Sequence, residues 1–115
     1  MIAQRAGVHK EKEAVTFLRS HGYAIIARNW WCRFGEIDII ARDGDQLVFV
    51  EVRARSTETH GSPEETITPL KRKHIIAAAK IYLAGKDCDL AVRFDVVAIS
   101  GNDFRLYKNA FTGDD

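Results

Sequence analysis

The chain has 115 residues, 46% of them hydrophobic and 29% charged, with a formal net charge of +1. That length and balance predict one soluble globular domain, residues 1–115, that buries a core without disulfide staples. A charge so close to zero excludes reading a nucleic-acid partner from global electrostatics, so any basic footprint must be local.

Cys32 and Cys88 form no Cys-x-x-Cys and accompany no His cluster, which predicts reduced thiols and a cytoplasmic protein. No apolar run approaches the roughly 18–20 residues of a membrane span, and no signal-peptide core follows Met1, so no membrane partner is expected.

In chain order, Ala3 to Ser20 reads as a helix, with Val8, Ala14, Val15 and Leu18 at helical spacing and Gly22 as its stop. His9, Lys10, Glu11, Lys12 and Glu13 make its polar side, which by itself reads as a solvated face. Tyr23 to Asn29 reads as a first strand, and Trp30 to Phe34 as a connection. The two Trp beside Arg28 and Arg33 suit either base stacking or cover of a sheet edge or dimer contact.

Gly35 to Arg55 reads as a β-hairpin turning at Asp43-Gly44. Ser56 to Thr68 is polar and reads as a surface loop. Thr68 as N-cap and Pro69 at the first position open a second helix that stops at Gly85. Its apolar stripe is Ile75, Ile76, Ala79, Tyr82 and Leu83.

The first turn of that helix holds Lys71, Arg72, Lys73 and His74, cations that oppose the helix dipole. Phosphate recognition accounts for this placement, as does a scatter of solvated basic residues. Leu90 to Ser100 and Phe104 to Lys108 form a closing hairpin, in which Asp95 reads as a salt-bridge or sheet-edge residue.

The charge inside the central hairpin is the conspicuous feature. Asp38 lies among Ile37, Ile39 and Ile40, and Glu51 lies between Val50 and Val52. An ionised carboxylate in such surroundings costs several kcal/mol unless a cation or hydrogen bonds offset it, by the general cost of burying charge. If Arg42 pairs with Asp45, Asp38 falls opposite Phe49 and Glu36 opposite Glu51. Glu36, Asp38, Glu51 and Arg53 then share one face, with Asp38 and Glu51 as diagonal neighbours. Two carboxylates so placed suit a hard divalent cation such as Mg²⁺.

Asp38 followed by Glu51-Val52-Arg53 resembles the D…(D/E)-x-K signature of the PD-(D/E)XK nucleases, with Arg53 at the usual Lys position. The whole chain resembles the YraN-like family of small bacterial proteins assigned to that superfamily. The likeness rests on Gly7, Glu11, Ala14, Leu18 and Gly22, then Arg28-Asn29, Gly35-Glu36-Ile37-Asp38 and Val48-Phe49-Val50-Glu51-Val52-Arg53. It continues through Ser62-Pro63-Glu64-Glu65, Arg93-Phe94-Asp95-Val96-Val97-Ala98 and Asn109-Ala110-Phe111.

The resemblance implies an α/β fold of restriction-endonuclease type: a mixed central sheet flanked by helices, in the order α-β-β-β-α-β-β. It implies metal-dependent phosphodiester hydrolysis on DNA of the Holliday-junction-resolvase kind, and makes a homodimer a natural expectation. Asp38 and Glu51 would hold Mg²⁺ or Mn²⁺, Glu11 would match the family's helix glutamate beside the metal, and Arg53 would stabilise charge on the phosphate. Arg55, Lys71, Arg72 and Lys73 are the expected nucleic-acid contacts. The alternative is a DNA-binding or repair-associated module without catalysis, in which Glu51 and Arg53 form a buried ion pair.

Overall fold

The computed structural model describes residues 2–54 and 67–113, with side chains from Lys10 onward. The expected loop at 56–66 and the nucleic-acid candidate Arg55 lie outside the described residues. The elements are α1 (Ile2–Ser20), β1 (Ala24–Cys32), β2 (Gly35–Asp43), β3 (Gln46–Ala54), α2 (Pro69–Leu83), β4 (Ala91–Ser100) and β5 (Asp103–Phe111). This is the α/β order expected. None of the described helices is long and apolar enough to cross a membrane.

One five-stranded mixed sheet has the order β1-β2-β3-β4-β5. Pairing is antiparallel except between β3 and β4, which are parallel and joined by the segment carrying α2. Parallel neighbours need such a crossover because a tight turn can only reverse the chain.

Each face of the sheet carries one helix. Ala14, Val15 and Leu18 of α1 pack with Ile39, Ala41, Val48, Val50, Val97 and Ile99. On the other face Ile75, Ile76, Ala78 and Ala79 of α2 pack with Ile40, Phe49, Phe94, Val96 and Phe111. The strict alternation of β3, with Leu47 and Phe49 toward α2 and Val48 and Val50 toward α1, follows from its period of two.

The helix stops and starts are local chemistry. Gly22 takes φ 86° after α1, and the Tyr23 N–H reaches back to the Leu18 carbonyl at 3.0 Å. Thr68 caps α2 by accepting the Lys71 N–H at 3.1 Å, with Pro69 in the first turn. Thr68→Ala should therefore cost about 1 kcal/mol of stability, the typical worth of an N-cap, measurable as a lower urea midpoint at unchanged slope.

Three expectations need correction. β1 runs on through Trp30 and Trp31 to Cys32, so those residues belong to a strand and not to a connection. The hairpin closes one residue later than the Asp43-Gly44 turn implies: Asp43 pairs with Gln46, Arg42 with Leu47 and Ile40 with Phe49. Every partner thus moves by two, which leaves β3 and the Ile39–Asp43 part of β2 on their expected faces, whereas Ile37 joins Ile40 on the α2 side. Asp95 lies on β4, an interior strand, so the sheet-edge half of its reading fails while the salt-bridge half holds.

Asp95 is fully buried beside Arg93. Its carboxylate accepts from Arg93 Nε at 2.9 Å, Arg93 Nη2 at 2.8 Å, the Tyr23 hydroxyl at 2.7 Å and the Asn109 N–H at 2.9 Å. Arg93 Nη2 also donates to Asp43 Oδ2 at 2.8 Å and holds that carboxyl below its usual range. The network ties the residue between α1 and β1 to β2, β3, β4 and β5, since Arg93 also donates to Gln46 of β3.

Candidate functional site

The β2–β3 ladder stops at Ile39 opposite Val50, whereas β1–β2 pairing continues to Cys32 opposite Gly35 and β3–β4 pairing to Ala54 opposite Ile99. The two middle strands therefore part, and the first residues beyond their last pair are Asp38 and Glu51. At this fork the Asp38 side chain takes over from the ladder: its Oδ2 accepts the Val52 N–H at 2.8 Å. Asp38 and Glu51 also interact directly through their carboxyl groups. They are facing neighbours across the fork, closer than the diagonal arrangement read from the sequence.

More acids converge here. Glu11 of α1 is buried at 8% exposure, while Glu13 is exposed and lies 3.7 Å from Lys10. The α1 polar side is thus not uniformly solvated; one of its acids points inward. Carboxylate oxygens of Glu11, Glu36 and Asp38 all lie within 4.8 Å of one another. With Glu51 in contact with Asp38, the acids extend through the fork from the α1 side of the sheet to the α2 side.

Cations and donors frame the cluster. Lys71 Nζ lies 3.7 Å from Glu51 Oε2, reaching over from the first turn of α2. Among the described residues the cation at ion-pair distance from Glu51 is Lys71, where the non-catalytic alternative had Arg53. Arg53, two residues along β3, is half-buried. Asn29 Nδ2 donates to Glu11 Oε2 and, at 3.1 Å, to Glu36 Oε1. Of the other expected basic residues of α2, Arg72 has its guanidinium 6.0 Å from the Phe111 ring centre and Lys73 is exposed. The Trp pair splits as well. Trp30 packs edge-on against Tyr82 at 5.3 Å, and Trp31 is 68% exposed on edge strand β1.

Sequence reading omitted Glu36 and Asn29 from the site. Glu36 shares a strand face with Asp38, a signal present in the spacing. Asn29, a polar amide beside Arg28 in a largely apolar strand, was the available hint for the second.

Packing acids together perturbs them. Asp38 is pushed up to about 10, first by burial, then by repulsion from and hydrogen bonding with Glu51, against the lowering pull of the Val52 N–H. Glu11 is also raised, mainly by burial, with the Asn29 amide acting the other way. Folded Asp38 thus keeps its proton well above the ordinary carboxyl value of 3.8.

Between those values the native state binds more protons than the unfolded chain, so stability falls as pH rises. Metal-free protein should accordingly melt at a lower temperature at about pH 8.5 than at about pH 6, a window where Asp43 is ionised in both states and adds no slope. A flat or rising midpoint in EDTA would show that Asp38 is already ionised at neutral pH.

A divalent cation can replace that proton. The donors are all carboxylate oxygens, with no His or Cys among them, which fits a hard ion such as Mg²⁺ or Mn²⁺. Ligands about 2.1 Å from one ion lie at most about 4.2 Å apart, so the separations here need only small side-chain adjustments.

Comparison with known proteins adds kinship. The profile of the "Uncharacterised protein family UPF0102" matches residues 10–99. The chain is similar to a UPF0102 protein of Lachnoclostridium phytofermentans, 48% identical over 107 residues, covering 91% of each chain. It is 45% identical to a UPF0102 protein of Herminiimonas arsenicoxydans over 93% of this chain and 86% of the relative. A UPF0102 protein of Persephonella marina is 45% identical over 96% and 97% of the two chains.

Proposed function

For this chain, which belongs to the UPF0102 (YraN-like) family, we propose a metal-dependent phosphodiesterase acting on nucleic acid, with DNA as the substrate. The observation that carries this reading is the fork, where Asp38 and Glu51 from opposite arms of one hairpin meet beside Glu11 and Glu36. A folding-only design gains nothing from setting like charges together in a half-buried cleft. The order Asp38…Glu51-Val52-Arg53, carried on a helix-flanked mixed sheet, supports kinship with the PD-(D/E)XK nucleases.

Asp38 and Glu51 would hold Mg²⁺ or Mn²⁺, joined from the α1 side by Glu11 and Glu36. Such an ion, when bound, supplies a Lewis acid for a phosphate oxygen and lowers the pKa of water beside it. Lys71 stands beside Glu51, and strand alternation puts Arg53 on the same face of β3 as Glu51. Arg53 remains protonated at any working pH, so its part is to stabilise negative charge on the phosphate and never to take a proton. Lys71 brings a second positive charge to the face where Glu51 stands, and exposed Lys73 extends it outward.

The test is incubation with Mg²⁺ or Mn²⁺ and single-stranded, duplex, flap and four-way-junction DNA. Metal-dependent cleavage of at least one of these is expected. Metal uptake and DNA binding without cleavage would reduce the protein to a nucleic-acid-binding module, and absence of metal uptake would sink the reading altogether.

A further inference from the structure

Asn29 adopts φ 51°, a left-handed backbone that Asn tolerates better than most residues. It lies between the pairs Arg28–Ile39 and Trp30–Ile37, so it faces Asp38 across the β1–β2 ladder. Side-chain alternation slips at this point in both strands. Ala27 and Trp30, three apart on β1, both join the α2-side cluster, as do Ile40 and Ile37 on β2. Three-apart residues of a regular strand would point to opposite faces. The slip frees Asn29 from core packing, and its amide donates to Glu11 from the helix and Glu36 from the neighbouring strand.

Neutral amide donors suit this place for a physical reason. They hold two carboxylates near each other without neutralising either, whereas Lys or Arg here would compete with an incoming cation. We propose that Asn29 is a positioning residue that clamps Glu11 and Glu36 beside Asp38, so that these acids present their oxygens to a divalent cation as a prearranged set. The inference rests on the metal-dependent reading above and assigns to Asn29 a role in ion affinity over and above its turn of the backbone.

Two variants separate these roles. Asn29→Gly accepts the left-handed backbone and removes the amide, while Asn29→Ala removes both. Mn²⁺ binding is followed by the paramagnetic resonance of the free ion, and metal-free stability by thermal melting. Expected is an Asn29→Gly protein that melts close to wild type yet binds Mn²⁺ about tenfold or more weakly, the usual effect of losing an outer-shell partner. Asn29→Ala should lose stability as well. Wild-type affinity in Asn29→Gly would overturn the proposal, because the residue would then serve the backbone alone.

Glu36→Gln keeps an acceptor for Asn29 but removes a ligand charge, and should also weaken Mn²⁺ binding at unchanged or higher melting temperature. Undiminished binding there would leave the clamp nothing to position and overturn the proposal even if Asn29→Gly did not fold. Wild-type protein that takes up no Mn²⁺ would instead defeat the phosphodiesterase reading itself.

Discussion

Asp38→Asn should abolish measurable Mg²⁺ and Mn²⁺ binding, a loss of about two orders of magnitude or more, while leaving the metal-free protein at least as stable as wild type. The two halves of this result have one cause. Asp38 stands opposite Glu51 at the fork, is raised by burial and then by that neighbour, and has its carboxylate within 4.8 Å of those of Glu11 and Glu36, so it is the acid common to both sides. Replacing it removes the ligand most central to the cluster, and affinity for a hard divalent ion depends on charged oxygen donors.

The same change relieves repulsion. Asn has nearly the size of Asp, and its carbonyl oxygen can still accept the Val52 N–H that Asp38 Oδ2 now receives. A buried acid held neutral by its neighbours contributes little that an amide cannot match. Isothermal titration with Mn²⁺ and thermal melting in EDTA read the two halves separately. Any DNA cleavage must disappear with the metal; cleavage that survives in Asp38→Asn points to a contaminant. A variant that binds Mn²⁺ like wild type would move the ion away from the fork.

Asp95→Ala should have the opposite profile: a stability loss of about 3–5 kcal/mol, the general cost of stranding one partner of a buried ion pair. Against a typical total of about 5–15 kcal/mol, that is a large fraction. Asp95 is wholly inaccessible and accepts from Arg93, Tyr23 and the Asn109 backbone. Its removal leaves Arg93 with Asp43 as its carboxylate partner, 2.8 Å away and still in place, which argues for the lower end of the range.

Urea denaturation should show a much lower midpoint at unchanged slope. Mn²⁺ affinity of the remaining folded protein should hold, because the hydrogen-bond partners of Asp95 are Arg93, Tyr23 and Asn109 and none of the fork's acids. A loss below about 1 kcal/mol would mean that the Asp43 pair alone satisfies the guanidinium, given what a single exposed ion pair is worth.

How far the sequence foretold these features follows from particular residues. The order of elements was legible because Gly22, the Asp-Gly turn, Thr68-Pro69 and Gly85 each mark a boundary by a local mechanism. The hairpin register was misread for a reason that the turn itself supplies. An Asp-Gly signal places Gly second of the two central residues, but Gly44 comes first here, with φ 61°. The shift by two kept the faces of β3, so Asp38 and Glu51, expected as diagonal neighbours, stand opposite each other just past the last pair. Nothing in the pattern foretold the break in alternation between Ile37 and Ile40.

Glu11 was distinguishable from Glu13 only by resemblance, because a helical face of alternating charges looks solvated until the sheet beneath it is known. Trp30 was misplaced because strand and connection do not differ in composition there. Lys71 was read as a phosphate contact from its place in the helix, and nothing in the local pattern pointed to Glu51. That approach depends on the crossover between parallel strands, a relation between segments distant in sequence.

The parting of β2 from β3 has one more consequence. Each strand is fastened along its outer flank, β2 to β1 and β3 to β4, right past the point where the inner ladder ends. Among the described residues the fork is therefore framed on both sides by paired strands of one sheet. Gathering like charges is work done once, as the sheet assembles, and an arriving ion finds its donors already in place with little left to rearrange.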